Sequence, residues 1–225
     1  MVLSAINELP LFPKLVIAVT HIPLLSACGF AAYRFRQFPQ SLKVLSAYIF
    51  LTTIVQIVST ALWWNSINNM PLLHIYTAVG FVLIAWFYQV AFRGFIDKRI
   101  FQWMAGLFFS FSIFNTLFLQ GILTFNSYSL TVQCVLVIIL SLALYIVQIN
   151  ETTKEQNESE VKSLNWINTG LFIYFTSTVL LFYYGKPILE AFSFSSSLPT
   201  WIVHNFFATV FYTCLFLGLW NHKQN

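Results

Sequence analysis

Apolar residues run through this chain in long blocks, broken at short intervals by small clusters of polar and charged positions. Seven blocks can be drawn, at about 14–33, 43–63, 70–92, 100–122, 129–149, 164–184 and 199–220. Each is long enough to cross a hydrocarbon core of about 30 Å as an α-helix. Segments of about 10 residues that alternate apolar with polar would mark a membrane β-barrel, and none is visible. The pattern predicts an all-α fold, a polytopic bundle of seven transmembrane helices forming one domain over residues 1–225.

Composition strengthens this reading. The chain is 58% hydrophobic and 8% charged, with a mean hydropathy of +0.75, whereas a soluble domain carries about 25% charged residues. Of eleven Lys and Arg, nine fall in alternate connections: Arg34, Arg36, Lys43, Arg93, Lys98, Arg99, Lys154, Lys162 and Lys223. Only Lys14 and Lys186 fall on the other face. The positive-inside rule then places the N-terminus outside and the C-terminus in the cytoplasm. The same distribution explains the basic pI as topology and argues against nucleic-acid binding. Trp63, Trp64 and Trp201 on the outer side, and Trp103, Trp166 and Trp220 on the inner, fit interfacial belts.

Two local patterns compete with this topology. Leu25-Ser26-Ala27-Cys28 matches a lipoprotein cleavage site, but cleavage there would put every basic connection on the wrong face. The sequons at Asn150 and Asn157 fall in the polar stretch 150–163, which topology places in the cytoplasm as a connector or an extension of the flanking helices. The outer connection, 185–198, reads as a flexible link in preference to a lid. Cys28, Cys134 and Cys214 have no metal or disulfide spacing and read as packing residues.

Candidate chemistry is defined first by what the spans lack. No Asp, Glu, Lys or Arg lies at mid-membrane; Asp97 and the glutamates sit in connections, with Glu8 and Glu190 outside. Carboxylate-driven pumping and an aspartyl hydrolase are disfavoured. Histidines stand out instead. His21, His74 and His204 lie about seven, four and five residues into spans that all run inward, which sets them roughly 6 to 11 Å below the outer surface. Gln56, Thr60, Asn115, Gln120, Thr131, Gln133, Tyr183 and Tyr184 reach similar depth. If these side chains face inward, they line an outward-opening pocket. The expected ligand-binding residues are His21, His74, Tyr76, His204, Asn205, Gln56 and Asn115. Convergence of His21, His74 and His204 would also provide nitrogen ligands for Zn or Cu. Pro23 should kink the first span, and Pro71 with Asn68 and Asn69 should open the third.

Seven helices with this orientation resemble the rhodopsin and G-protein-coupled receptor layout, although the last span lacks the lysine that retinal requires. Seven-helix metal-dependent lipid hydrolases use a histidine pair four residues apart in the last span; here His204 is followed by Ala208. Pro39-Gln40 is similar to the signature of PQ-loop transporters, but it occurs once and no three-helix repeat accompanies it. The segment Asn69-Met70-Pro71-Leu72-Leu73-His74-Ile75-Tyr76-Thr77, with Trp201, His204-Asn205, Tyr212 and Trp220, resembles small seven-helix bacterial membrane proteins without an assigned activity. That resemblance implies a multi-pass protein of the bacterial inner membrane, working with a separate signalling partner in the membrane or cytoplasm. The expected function is a receptor-like or sensory protein with a small-ligand pocket in the outer leaflet. A His-ligated metal enzyme acting on lipid or a small periplasmic molecule is the alternative, and a transporter the third reading. Intact mass measurement is expected to show Cys28 unmodified; a lipid-bearing N-terminus at Cys28 would reverse the topology.

Overall fold

The computed structural model describes residues 11–92, 94–151, 158–191 and 194–222. Among these, seven long helices follow one another: α1 (Leu11–Arg34), α2 (Gln40–Trp64), α3 (Met70–Ala91), α4 (Lys98–Phe114), α5 (Ser127–Glu151), α6 (Glu158–Ala191) and α7 (Phe194–Asn221). A 3-10 turn, Phe35–Gln37, follows α1, and a π-helical turn, Asn115–Leu119, prolongs α4. The chain is therefore all-α, and six of the helices, α2 to α7, are long and apolar enough to cross a membrane. Arg93, Lys154, Lys223 and Asn157 lie outside the described residues.

Several local expectations change. The connection 185–198 is largely helix: α6 continues to Ala191 and α7 begins at Phe194, with Pro199 inside it. The stretch 150–163 likewise shortens, since α5 reaches Glu151 and α6 starts at Glu158. Asn68, one residue earlier than the helix cap position, accepts the Met70 N–H at 2.8 Å. Asn69 instead donates to Ser59 Oγ at 2.6 Å, tying the start of α3 to α2. Cys28 lies within α1, half-buried against the core.

Six helices close a ring in the order α1, α2, α3, α5, α6, α7, with α7 returning to α1. Helix α4 sits outside it, packed mainly on α3, and buries little more than Phe101, Phe108 and Ser112. Leu107 and Trp103 on its other face are 67% and 72% exposed, as a lipid-facing surface requires.

Lipid is as apolar as leucine, so helices in a bilayer associate through close packing and hydrogen bonds. Both are present. Tyr88 Oη on α3 shares a 2.6 Å hydrogen bond with Ser141 Oγ on α5 and donates at 2.9 Å to Asn168 Oδ1 on α6. Asn168 Nδ2 donates back to the Ser141 carbonyl at 3.0 Å. Between α6 and α7, glycines let the backbones approach. A Cβ on Gly170 would stand 2.6 Å from Cys214 Cβ, and one on Gly218 would stand 2.5 Å from Ile167 Cγ1 and 3.1 Å from the Ser163 carbonyl. Beyond α7, burial lowers the His222 pKa below its ordinary value.

Gly170→Ala and Gly218→Ala should each cost about 1–3 kcal/mol through overpacking. Gly106→Ala, which meets nothing within 4 Å on α4, should be neutral or slightly stabilising. Thermal unfolding in detergent measures all three; equal effects would mean that α6 and α7 are not held by close approach.

Candidate functional site

The polar side chains inside the ring gather around tyrosines. On α2, Tyr48, Thr52 and Gln56 recur every four residues and share one helix face. On α7, His204, Ala208 and Tyr212 do the same, with the small, buried Ala208 between the two polar groups. The two stripes meet where Gln56 Nε2 donates to Tyr212 Oη at 3.3 Å.

From α3, Tyr76 reaches the α2 stripe. Its hydroxyl shares hydrogen bonds with Tyr48 Oη at 3.0 Å and Thr52 Oγ1 at 3.1 Å. Gly80, one turn on, lies against the same two rings: a Cβ there would make ordinary contact with Tyr48 and Tyr76 at 3.6 Å. From α6, Tyr174 Oη shares a 3.0 Å hydrogen bond with His204 Nε2, and its ring stacks on Phe211 at 5.0 Å between centroids. The Phe211 ring joins the two sides, with Tyr48 at 6.4 Å, Tyr212 at 5.4 Å and Tyr174 at 5.0 Å between centroids. Four phenols from four helices thus converge with Gln56, Thr52 and His204.

The His204 ring is boxed by aromatic neighbours, with Phe182 at 5.6 Å and Trp201 at 6.0 Å between centroids. Gln56, Tyr76, Tyr174 and His204 keep accessible surface despite these interior partners. On the side where α2 begins, fully buried Leu45, Ile49, Phe81 and Leu215 close the bundle beneath the tyrosines. The cluster contains hydroxyl, amide and imidazole groups and no Asp, Glu, Lys or Arg. It can hydrogen-bond an uncharged molecule and stack on it, while an ion would enter without a counter-charge.

The structure brings together only part of the set expected from sequence. Tyr76, Gln56 and His204 belong to the cluster. His74 does not: it is buried, but its Nδ1 pairs with Thr116 Oγ1 at 2.8 Å and its Nε2 with the Thr124 carbonyl at 3.0 Å, on the α4 side of α3. His21 pairs with Thr60 Oγ1 at 3.3 Å, on the α1–α2 seam. Asn205 is half-buried, and its carbonyl accepts from Thr209. Asn115 lies at the π-helical turn in a separate buried network, where its Nδ2 donates to Gln120 Oε1, Asn126 Oδ1 and Ser129 Oγ. Tyr183 and Tyr184 are exposed.

The expected metal set is corrected accordingly. His21, His74 and His204 turn to different seams, and among the described residues no three His, Cys, Asp or Glu side chains gather as a metal ion would require. Equal depth is not convergence, because depth leaves the direction around each helix axis undetermined.

Comparison of the chain with protein-family models, with curated proteins and with solved structures finds no match.

Because His74 and His204 occupy separate networks, the destabilisation caused by His74→Ala and by His204→Ala should add in the double variant to within about 0.5 kcal/mol. His74→Ala with Thr116→Val should instead be non-additive, by about 0.6–1.7 kcal/mol. Coupling between the two histidines measured by thermal unfolding would mean that they share one site after all.

Proposed function

We propose that this chain is a receptor-like, sensory membrane protein whose tyrosine cluster binds a small uncharged ligand and which signals through a separate partner. In this reading all seven helices span a bacterial inner membrane, with the N-terminus outside and the C-terminus in the cytoplasm. The observation that carries it is the grouping of Tyr48, Tyr76, Tyr174 and Tyr212 with Gln56 and His204 within a helix ring, where Tyr48 and Tyr212 are buried and the other four side chains half-buried. Phenol, amide and imidazole groups suit a ligand bearing both an aromatic or aliphatic body and hydrogen-bonding oxygen or nitrogen atoms.

Ligand contact would compete with hydrogen bonds that now join α2 to α3, α2 to α7 and α6 to α7. A ligand that favoured one arrangement of those bonds would shift the population of helix packings, and the partner would read the shift. The metal-enzyme reading has no comparable support, since the three histidines have separate partners.

A thermal-shift screen of uncharged hydrogen-bonding aromatic compounds against the purified protein tests the site. Binders should raise the unfolding temperature of the native chain, and Tyr76→Phe and His204→Ala should weaken them about five-fold or more, given about 1 kcal/mol per hydrogen bond lost. Binders unaffected by either substitution would remove the proposal. Topology is tested separately: fluorescence from a C-terminal green fluorescent protein and activity of an N-terminal alkaline phosphatase are expected, and the reverse pair would overturn the orientation.

A further inference from the structure

At the other end of the bundle, where the basic residues gather, a groove of about 490 Å³ opens between the start of α2, the end of α3 and the α3–α4 connection. We propose that this groove binds the headgroup of an anionic phospholipid through its phosphate. Gln40, Gln89 and Lys98 supply polar lining, Trp86 and Ile96 an apolar wall, and Gly94 part of the rim. Gly94 has φ +92° and nothing within 4 Å of its missing Cβ, so the connection turns there without filling the space.

Three features favour an anion. Among the described residues, the lining includes Lys98 and no Asp or Glu. The amides of Gln40 and Gln89 can donate to phosphate oxygens. The first turn of α2 borders the groove at Gln40 and has no acidic residue; its cap position is Pro39, and no side chain accepts a hydrogen bond there. Asp97, next to Lys98 in the chain, is turned to α4, which it caps by accepting the Arg99 N–H at 2.9 Å.

Lipid is favoured over a soluble phosphate by the shape of the site. Its lining sits near the ends of three helices, where headgroups would lie if these helices cross the membrane. Its Trp86 wall is 44% exposed on the apolar flank of α3, where acyl chains would leave the groove. Indoles prefer this interfacial depth, and a basic groove between helix ends suits anionic headgroups.

Native mass spectrometry of the full chain in detergent, with phosphatidylglycerol or phosphatidylcholine added, tests the assignment. Phosphatidylglycerol should be retained in preference to phosphatidylcholine, and Lys98→Gln should lower its retention about five-fold. Gln89→Leu, which changes no charge, should lower it too, and Arg99→Gln, outside the groove, should leave it within about two-fold. The proposal is overturned if Lys98→Gln and Gln89→Leu both retain phosphatidylglycerol like the native chain. Equal losses in Lys98→Gln and Arg99→Gln would also overturn it, as diffuse surface attraction. Displacement of the lipid by inorganic phosphate alone would reassign the groove to a soluble anion. Thermal unfolding of each variant separates loss of the site from loss of the fold.

Discussion

A polar group inside a membrane bundle has no water to fall back on, so it must find its partner on a neighbouring helix or on the preceding turn of its own. That constraint shapes this molecule more than any single residue does. With no charged side chain at mid-span, the interior is held by neutral hydrogen bonds and by close backbone approach. The Tyr88–Ser141–Asn168 triad fastens α3, α5 and α6. The glycines of α6 and α7 fasten those two helices. The tyrosine cluster adds bonds between α2, α3, α6 and α7. It shares their chemistry, but it keeps accessible surface where the triad is sealed.

The helices themselves are plainly legible in the chain. Block length and composition decide whether a segment is a long apolar helix, and each of the seven blocks falls on a long helix, six of them apolar enough to cross a membrane. Ends are less legible because polar residues continue a helix when it projects beyond the apolar layer, as α6 and α7 do at 185–191 and 194–198. The π-helical turn at Asn115–Leu119 has no sequence marker: it leaves the apolar pattern intact and changes only the backbone register.

The site is half legible, and the reason lies in helical rotation. Depth follows from counting residues, and His21, His74 and His204 fall in the N-terminal halves of α1, α3 and α7. Direction follows from about 100° per residue. Tyr76 lies two residues from His74, about 200° around α3, so the two cannot face the same way. Helical geometry by itself therefore forbids placing both in one pocket. The same arithmetic finds the missing members. Tyr48, Thr52 and Gln56 repeat at four-residue spacing, and so do His204, Ala208 and Tyr212. Tyrosine hides such a stripe because its ring satisfies the apolar pattern while its hydroxyl supplies the polar contact. Tyr174 gives no such signal; only packing on Phe211 and His204 identifies it.

The cluster also differs in stiffness from one seam to the next. Helices α6 and α7 are in backbone contact, so moving one against the other means separating Gly170 from Cys214 and Gly218 from Ile167. Side chains join α2 to α7 within the cluster, through the 3.3 Å Gln56–Tyr212 bond and the edge of Tyr48 against Phe211 at 6.4 Å. A bond between side chains can be exchanged for one to a ligand without disturbing a backbone. The compliant direction is thus α2 and α3 relative to a stiff α6–α7 pair. Tyr76 lies on the compliant side and His204 on the stiff one, so a ligand spanning both would act across that seam.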